Sequence, residues 1–426
     1  MRNIFKIFGV ILLTLVLSFS AYSNGLNLNG MGAKAISMGG AFIAVADDYS
    51  AVFWNPAGLT QMDKANLSVF SSILIPTGTY KYAPAGIDIE TKSKVFPAPA
   101  LTYYKPLSDK LIFGLTFYAT SGIGAYWDGK PLVPFNTGFP HNKRVYKWES
   151  KVGGLTASPV IAYKVSDKFS LGVTLNITYG FLNMNKEAMT TQYSEDTKGI
   201  GFGATIGALF KPSDKFSIGF TFKTPQKIKL KGDLKLDTLN KVIPIPGFPT
   251  SVEITREITW PLWAGVGIAF KPFDKLTIAF DAQYTNWGKL DKIPAKTDNA
   301  MWNKNLGKGS IIGKTAFELE WKDAIQYRVG VDYKLSDKFS LRGGYYYDPA
   351  PGPEATLNIL LPSVSYNVFT AGFGYHTDKI VLDAGFEYLS GTDRDADLAG
   401  VVAKKAMPGT HGMKILVPTI SLTIIF

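Results

Sequence analysis

Residues 165–181 read VSDKFSLGVTLNITYGF, and both parts of this stretch bear on the fold. From residue 169 onward the even-numbered residues are polar or glycine, whereas the odd-numbered ones are all apolar: Phe169, Leu171, Val173, Leu175, Ile177, Tyr179 and Phe181. Such period-2 alternation is typical of a β-strand with one apolar and one polar face. The polar residues in front of it predict a tight turn.

This turn recurs along the chain. Identical copies of Ser-Asp-Lys-Phe-Ser begin at Ser166, Ser213 and Ser336, and the looser copies LSDKLIF, PFDKLTI and HTDKIVL begin at positions 107, 272 and 376. Each copy lies between two alternating segments, so it predicts a short turn that joins one strand to the next. The longer intervals between copies leave room for a strand, a long loop and a returning strand. We therefore expect fourteen antiparallel strands, near Ala65–Ile75, Lys94–Lys105, Leu111–Thr120, Val152–Lys164, Phe169–Phe181, Gly199–Phe210, Phe216–Lys223, Ile254–Phe270, Leu276–Trp287, Asp323–Leu335, Phe339–Asp348, Ser365–His376, Ile380–Leu389 and Lys414–Phe426.

The composition agrees with an all-β protein and excludes several kinds of site. The chain contains 42 Gly, 21 Tyr and 28 Phe among 426 residues, and long helical patterns are scarce after residue 60. The absence of Cys excludes disulfides and thiolate metal sites. Three scattered His are too few for a metal cluster, so we expect no cofactor.

The first 23 residues predict export. Arg2 and Lys6 precede an apolar run, residues 9–17, and Ala21-Tyr22-Ser23 has the small residues of a cleavage site, which together are typical of a secretory signal peptide. The apolar run is shorter than the roughly 18–20 residues that a membrane-anchoring helix needs.

The sidedness of the strands favours a membrane barrel over a soluble repeat array. One face is apolar throughout: Phe216, Ile218, Phe220, Phe222; Leu276, Ile278, Phe280, Tyr284; Ile325, Tyr327, Val329, Val331 and Tyr333. The opposite face carries the charged and amide side chains: Asp281, Gln326, Arg328, Asp332, Arg342, Asp383 and Glu387. Fourteen strands enclose a lumen too wide for a soluble core, and only a closed barrel satisfies its backbone groups in lipid. The sequence thus predicts a transmembrane barrel of a bacterial outer membrane.

The basic charge fits this location. The formal net charge of +11 falls to +9 once Arg2 and Lys6 are removed with the signal peptide. For an exported barrel we expect this surplus to contact outer-membrane lipid and lipopolysaccharide, with no role in nucleic-acid binding.

The segment before the first strand carries a family signature. Gly39-Gly40-Ala41, then Ala46-Asp47-Asp48, then Asn55-Pro56-Ala57-Gly58-Leu59, in this order, resemble the N-terminal signature of the FadL/TodX transporters. This resemblance covers residues 32–59 in motif and the whole mature chain in architecture. It implies three segments, namely a signal peptide (1–23), a small, mostly helical hatch inside the lumen (24–64) and the barrel (65–426). Phe426, at the end of an outward apolar row, also resembles the signal that outer-membrane barrels present to the barrel assembly machinery.

The resemblance further implies passive uptake of hydrophobic compounds, typically long-chain fatty acids. Family members are thought to capture ligand in an outer groove, pass it to a pocket beneath, shift the N-terminus of the hatch and release it sideways through a kinked third strand. Such a route is physically reasonable, because placing a fifteen-methylene chain in a water-filled pore would cost about 12 kcal/mol.

Candidate ligand-binding and gating residues follow from this resemblance. For the outer groove we name exposed apolar residues of two loops, 121–151 and 224–253: Trp127, Phe135, Phe139, and the Ile243–Phe248 segment with Phe248. Packing of loop on loop is the alternative. Leu26, Leu28 and Met31 would be the movable N-terminal segment, or a tail. Gly122 and Gly124 mark where strand pairing would break most easily, although ordinary turn glycines are the favoured explanation.

Inside the lumen we expect three contributors to a ligand pocket. Trp263 has inward parity and would form apolar wall, whereas Arg328 and Arg342 would suit a carboxylate. Structural pairing of the two arginines, with barrel charges such as Asp281 and Asp332 or with the hatch, is the favoured alternative. Asp47 and Asp48, an adjacent pair, rarely supply enough ligands for a cation, so we interpret them as a turn or helix boundary.

An enzyme is not expected. No His lies near a suitable nucleophile or acid dyad, and no Lys-Ser/Thr follows Gly39 and Gly40 as a phosphate loop requires. Two other functions for the same architecture stay open: a PorV-like partner of a secretion system, and a general polar porin. We expect a monomer.

Overall fold

The computed structural model describes residues 25, 28, 30–238, 246–306, 317–402 and 405–426. The predicted signal peptide, Leu26 and residues 243–245 of the predicted outer groove lie outside the described residues. Short helices are α1 (Ala33–Ser37), α2 (Ala51–Trp54), α3 (Ala300–Leu306) and α4 (Leu398–Val402), and a 3₁₀ helix spans Pro56–Gln61. Among the described residues, no helix is both long and apolar enough to cross a membrane.

The strands account for most of the chain. Within the described ranges they are β1 (Asn66–Tyr82), β2 (Ile87–Glu90), β3 (Phe96–Pro106), β4 (Leu111–Trp127), β5 (Trp148–Ser166), β6 (Phe169–Ala188), β7 (Thr191–Ser213), β8 (Phe216–Lys223), β9 (Gln226–Leu236), β10 (Ser251–Trp260), β11 (Trp263–Phe273), β12 (Leu276–Thr285), β13 (Lys292–Ile293), β14 (Ala295–Thr297), β15 (Phe317–Glu318), β16 (Ala324–Lys334), β17 (Phe339–Asp348), β18 (Tyr366–His376), β19 (Ile380–Gly391), β20 (Arg394–Asp395) and β21 (Thr410–Ile425).

Antiparallel pairing closes fourteen of these described strands into a barrel. The ring runs β1, β3, β4, β5, β6, β7, β8, β11, β12, β16, β17, β18, β19 and β21. The last strand then pairs with the first, from Asn66 opposite Ile425 to Lys81 opposite Thr410. Each of the fourteen strands thus pairs with a neighbour on both sides over at least part of its length, as a strand fold in lipid requires. The predicted fold class is confirmed.

The sidedness of the strands is confirmed as well. Tyr327 is 40% exposed, whereas the next residue, Arg328, is 1% exposed. All seven charged and amide residues that alternation assigned to the lumen are buried. An Arg on the lipid face at mid-depth would cost roughly 2–4 kcal/mol, so this parity stabilises the barrel in the membrane.

The prediction of one strand over Ile254–Phe270 was wrong. The chain breaks at Pro261-Leu262, so that β10 pairs with β9 whereas β11 pairs with β8. A second break, at Thr224-Pro225, lies opposite the first and separates β8 from β9. Proline lacks the N–H that a ladder needs, which explains both interruptions. The predicted loop 224–253 therefore contains β9 and the start of β10, and the predicted loop 121–151 likewise contains the ends of β4 and β5.

The repeated Asp-Lys turns form one rim of the barrel. The N–H of Lys164 donates to the carbonyl of Lys110, that of Lys211 to Lys168, and that of Lys271 to Lys215, each at 2.8 Å. The same bond links Lys334 to Lys275, His376 to Lys338 and Ile425 to Lys379. Each turn is thus joined to its neighbour through backbone atoms.

The long loops pack together over the opposite rim. A large apolar cluster there unites the upper ends of the strands with the loops, and Trp127, Phe248, Trp287 and Trp302 belong to it. Trp127 Nε1 donates to the Ile359 carbonyl at 2.9 Å, and Phe248 stacks on Trp302. The prediction that Trp127 and Phe248 are exposed was therefore wrong, since they are 3% and 5% exposed. Loop-on-loop packing, the alternative, describes them.

Candidate functional site

The segment before β1 folds inside the lumen as a series of turns, and we refer to its described residues 30–64 as the hatch. Gly39 and Gly40 both have positive φ, 63° and 66°, a conformation that disfavours side chains and here ends α1. Asn55 begins the 3₁₀ helix, because its side chain accepts from the N–H of Ala57 at 3.2 Å. Trp54 Nε1 donates to the Met31 carbonyl at 2.8 Å and holds the preceding segment down.

Barrel side chains bind the backbone of the hatch. Asp281 accepts hydrogen bonds from the N–H groups of Phe42 and Ile43 at 2.9 and 3.1 Å. Arg328 Nη1 donates to the Gly39 carbonyl at 2.9 Å, and Thr370 Oγ1 accepts from the Gly39 N–H at 3.0 Å. Hydrogen bonds to a charged partner each stabilise by about 1.5–3 kcal/mol. The inward charges thus fix the hatch in position.

Glycines of the wall allow the hatch to approach closely. A Cβ on Gly330 would lie 2.1 Å from the Met38 carbonyl oxygen, and one on Gly344 would lie 2.3 Å from the Gly39 nitrogen. Other wall glycines that touch the hatch include Gly172, Gly207, Gly219, Gly372 and Gly385. Together these residues form a glycine belt on β6–β8 and β16–β19, where the wall lies directly against the hatch.

Charged pairs connect the hatch to the wall near the turn rim. Arg342 donates to Asp332 at 3.0 Å and to Asp383 at 2.6 Å, and all three side chains are buried. Lys34 of α1 lies 2.8 Å from Asp47 and 4.0 Å from Asp332. Arg342 is therefore engaged in structural ion pairs, and it lines neither of the two cavities described below.

Asp47 and Asp48 occupy a turn of the hatch, where the sequence placed them. Asp48 Oδ1 accepts from the N–H and the hydroxyl of Ser50 at 2.8 and 2.6 Å. Burial raises the pKa of the Asp48 carboxyl to about 6, against the opposing effect of nearby Lys34. The Asp47 carboxyl is also desolvated, but Lys34 outweighs that effect and lowers its pKa.

A small chamber lies above the hatch. It adjoins the two strand breaks, Thr224-Pro225 and Pro261-Leu262, which lie opposite each other in the wall. Its volume is about 90 Å³, and its lining includes Leu28, Phe53, Trp54, Tyr118, Lys223, Trp263 and Arg328. The Lys223 ammonium lies 3.4 Å from the centroid of the Phe53 ring and 4.4 Å from that of Trp263. Among the described residues it forms no ion pair with an Asp or Glu. The chamber therefore combines aromatic walls with a lysine that has no carboxylate partner among the described residues.

A lateral cleft opens through the wall beside this chamber. β3 and β4 pair from Ala100 opposite Tyr118 down to the turn rim. Above that level β3 stays paired with β1, whereas β4 stays paired with β5 as far as the Trp127–Trp148 pair. The strands thus diverge and leave a cavity of about 400 Å³.

The cleft has an apolar lining and cannot easily close. Phe96, Pro97, Ala98, Gly122, Gly124 and Leu155 contribute to that lining. Pro97 and Pro99 on the free edge of β3 have no N–H with which to pair β4. Leu28 lies at the boundary, since it lines both the cleft and the chamber and its N–H donates to the Thr120 carbonyl at 3.3 Å. Leu28 thus separates the chamber from the cleft.

The structure brings together some of the residues named from the sequence and separates others. Leu28, Trp263 and Arg328 meet at the chamber, and Gly122 and Gly124 lie in the cleft. Met31 is buried in the hatch beneath Trp54, whereas Trp127 and Phe248 belong to the outer apolar cluster. Their roles in binding and gating stay predictions.

Sequence reasoning missed Lys223 and Phe53. Alternation from Ile218 and Phe220 gives residue 223 inward parity, so the sequence did contain a signal for Lys223. Phe53 lies on a four-residue helix, which has no periodicity to read.

The chain resembles known proteins in sequence and in fold. The long-chain fatty acid transport protein of Salmonella typhi is 23% identical over 423 residues, covering 88% of this chain and 89% of that protein. Outer membrane protein P1 of Haemophilus influenzae is 22% identical and covers 69% of this chain and 66% of its own length. Two crystal structures, of a Pseudomonas aeruginosa FadL homologue and of the Pseudomonas putida toluene transporter TodX, each superimpose with a TM-score of 0.73 at 18% and 15% identity. Each covers 94% of this chain and 99% of the solved one, and the likeness shows a shared fold.

The family comparison extends over nearly the whole sequence. The model described as "Outer membrane protein transport protein (OMPP1/FadL/TodX)" matches residues 14–419. The chain therefore belongs to this family, as an outer-membrane transport channel for hydrophobic compounds and not an enzyme.

Proposed function

We propose that the protein carries long-chain fatty acids across the outer membrane by passive diffusion, with the carboxylate held at Lys223 in the chamber and release through the lateral cleft. The observation that carries this proposal is the lone Lys223 ammonium in an aromatic chamber. A cation withdrawn from water without a counterion is costly. A carboxylate would compensate it, whereas a toluene-like hydrocarbon would not.

The geometry also provides for the chain of such a ligand. The chamber, at about 90 Å³, is small, but it adjoins the apolar cleft of about 400 Å³ across Leu28. A headgroup at Lys223 would leave the methylenes directed at Leu28 and the cleft, where each buried methylene contributes about 0.8 kcal/mol. Displacement of Leu28 would then join the two spaces, which is the role predicted for the N-terminal segment.

The relatives support two kinds of cargo. The Salmonella typhi protein is described as a transporter of long-chain fatty acids and the Pseudomonas putida protein as a toluene transporter. Lys223 favours the first for this chain. The hatch is held in the lumen by buried hydrogen bonds and the glycine belt, which argues against an open polar porin. We therefore expect the protein to show a low single-channel conductance.

The test compares ligands that differ only in charge. Binding of hexadecanoate and of uncharged hexadecan-1-ol is measured through the fluorescence of the chamber tryptophans in the wild type and in Lys223→Met. Because a hydrogen bond to a charged group contributes about 1.5–3 kcal/mol, the variant should bind hexadecanoate roughly 10- to 150-fold more weakly and the alcohol about as well as before.

A Trp263→Ala variant provides the control, since loss of chamber wall should weaken both ligands. Equal affinity of Lys223→Met and wild type for hexadecanoate would refute the assignment. So would an equal loss for acid and alcohol, because charge would then not be what Lys223 supplies.

A further inference from the structure

Two lysines flank the lipid-facing edge of the lateral cleft. Lys94 precedes β3 on one side, Lys151 projects from β5 on the other, and both belong to the cleft lining. The Lys94 ammonium lies 5.4 Å from the centroid of the Tyr126 ring, and the Lys151 ammonium lies 5.2 Å from that of Phe181. Both side chains are exposed, and among the described residues neither forms an ion pair with a carboxylate.

These lysines lie where the apolar lipid-facing band ends. Outward rows below them are apolar, as in the Leu155–Tyr179–Ile200 row that crosses β5, β6 and β7. The second outward row from there toward the long loops is Lys151–Asn183–Asp196, which is polar throughout. Lys151 is therefore at the depth where lipid headgroups begin, and the apolar cleft extends from this level toward the chamber.

The shape and charge of the opening select an amphiphile. An apolar cavity of about 400 Å³ receives a hydrocarbon chain, and two free ammonium groups at its outer edge receive an anion. A carboxylate that entered the hydrocarbon region would lose its hydration, whereas at this edge it stays at headgroup depth beside two cations.

We propose that Lys94 and Lys151 form an anion-binding exit site, which holds the headgroup of the departing amphiphile at the membrane surface while its chain passes through the cleft into the bilayer. The route rests on the proposed function; the anion site rests on the cleft and the two lysines. A carboxylate of the cargo and a phosphate of a resident lipid share the required chemistry, and we assign the site to the carboxylate.

The experiment measures how strongly spin-labelled lipids associate with the full mature protein in bilayers, from the motionally restricted fraction of their electron paramagnetic resonance spectrum. Three labels are used: doxyl-stearate, its uncharged methyl ester and doxyl-phosphatidylglycerol. The variant is Lys94→Gln with Lys151→Gln. The matched control is Lys198→Gln with Lys231→Gln, two exposed lysines paired across β7 and β9 that do not line the cleft.

The lysine pair at the cleft should strengthen association of doxyl-stearate over its methyl ester by about tenfold, since each surface lysine favours an anionic lipid several-fold. The cleft variant should lose this preference and the control variant should keep it. Loss in both variants, or in neither, would overturn the proposal, as would a loss confined to doxyl-phosphatidylglycerol.

Binding of hexadecanoate in the chamber, followed by tryptophan fluorescence, separates this proposal from the previous one. The cleft variant should bind hexadecanoate with wild-type affinity, because Lys223 is unchanged. Conversely, a failure of the Lys223→Met test would remove the chamber assignment and leave the spin-label result standing.

Discussion

Replacement of Gly344 by Ala tests whether the glycine belt positions the hatch. The added Cβ would lie 2.3 Å from the Gly39 nitrogen and 2.4 Å from the Met38 carbonyl carbon. Ordinary contact begins near 3.5 Å, so the hatch must move by about 1 Å. That displacement affects Gly39, whose N–H and carbonyl bind Thr370 and Arg328.

The expected magnitude follows from these contacts. Overpacking of a close-packed site costs about 1–3 kcal/mol. Weakening one neutral and one charge-assisted hydrogen bond adds a further amount of about the same size. We expect a total of about 2–5 kcal/mol, which corresponds to a rise of roughly 30- to 5,000-fold in the equilibrium for opening of the hatch.

Hydrogen–deuterium exchange of hatch peptides from residues 33–62 measures this opening directly. Gly343→Ala is the matched control, because its Cβ would meet nothing nearer than the Thr370 carbonyl oxygen at 3.8 Å. Gly344→Ala should accelerate exchange in the hatch and leave the heat-modifiable migration of the folded barrel unchanged, since the strand ladder is intact. Unaltered exchange in Gly344→Ala, or the same acceleration in Gly343→Ala, would refute the role of the belt.

Two further predictions concern the cleft and the buried charges. Gly122→Leu should slow transfer of hexadecanoate into liposomes at least several-fold without altering its binding in the chamber, because a Cβ there would meet Leu28 at an ordinary contact distance of 4.0 Å and the rest of the side chain would fill the cleft; normal transfer would contradict exit by this route. Arg342→Met should lower the free energy of unfolding by about 3–5 kcal/mol, since it removes the guanidinium that pairs with both buried carboxylates, Asp332 and Asp383. The control Arg144→Met breaks the exposed loop pair with Asp237 and should cost at most about 1 kcal/mol, so equal losses in denaturation would argue against the difference in burial.

The sequence allowed the barrel to be predicted because alternation acts on every wall residue. A shift of one residue in strand register would move every apolar side chain of a strand from the lipid face to the lumen face. Neighbouring residues such as Tyr327 and Arg328 therefore had to differ in polarity. The repeated Asp-Lys turns marked the strand ends on one rim, because the residues of a tight turn are themselves enough to predict it. The broken strand at Pro261 was missed although proline is a direct signal, because alternation continues on both sides of it.

The interior and the outer layer were harder to predict. The hatch helices have four to six residues and are held by the wall, as when Asp281 binds the N–H groups of Phe42 and Ile43. Such elements leave no periodicity in the sequence. Trp127 and Phe248 looked exposed because their partners, Ile359 and Trp302, are far away in the chain.

The backbone bonds between neighbouring Asp-Lys turns have a consequence for the size of the ring. Each turn binds the next through the same backbone hydrogen bond, as from Lys164 to Lys110 or from Lys334 to Lys275. If a hairpin were duplicated or deleted, the remaining turns could therefore still form this bond with their new neighbours. The hatch instead limits the circumference, because the glycines of the belt contact it from two sides, from β6–β8 and from β16–β19. A variant that lacks the twelfth and thirteenth strands of the ring, β18 and β19, should therefore still close as a narrower barrel. Its lumen should be too narrow to hold the hatch.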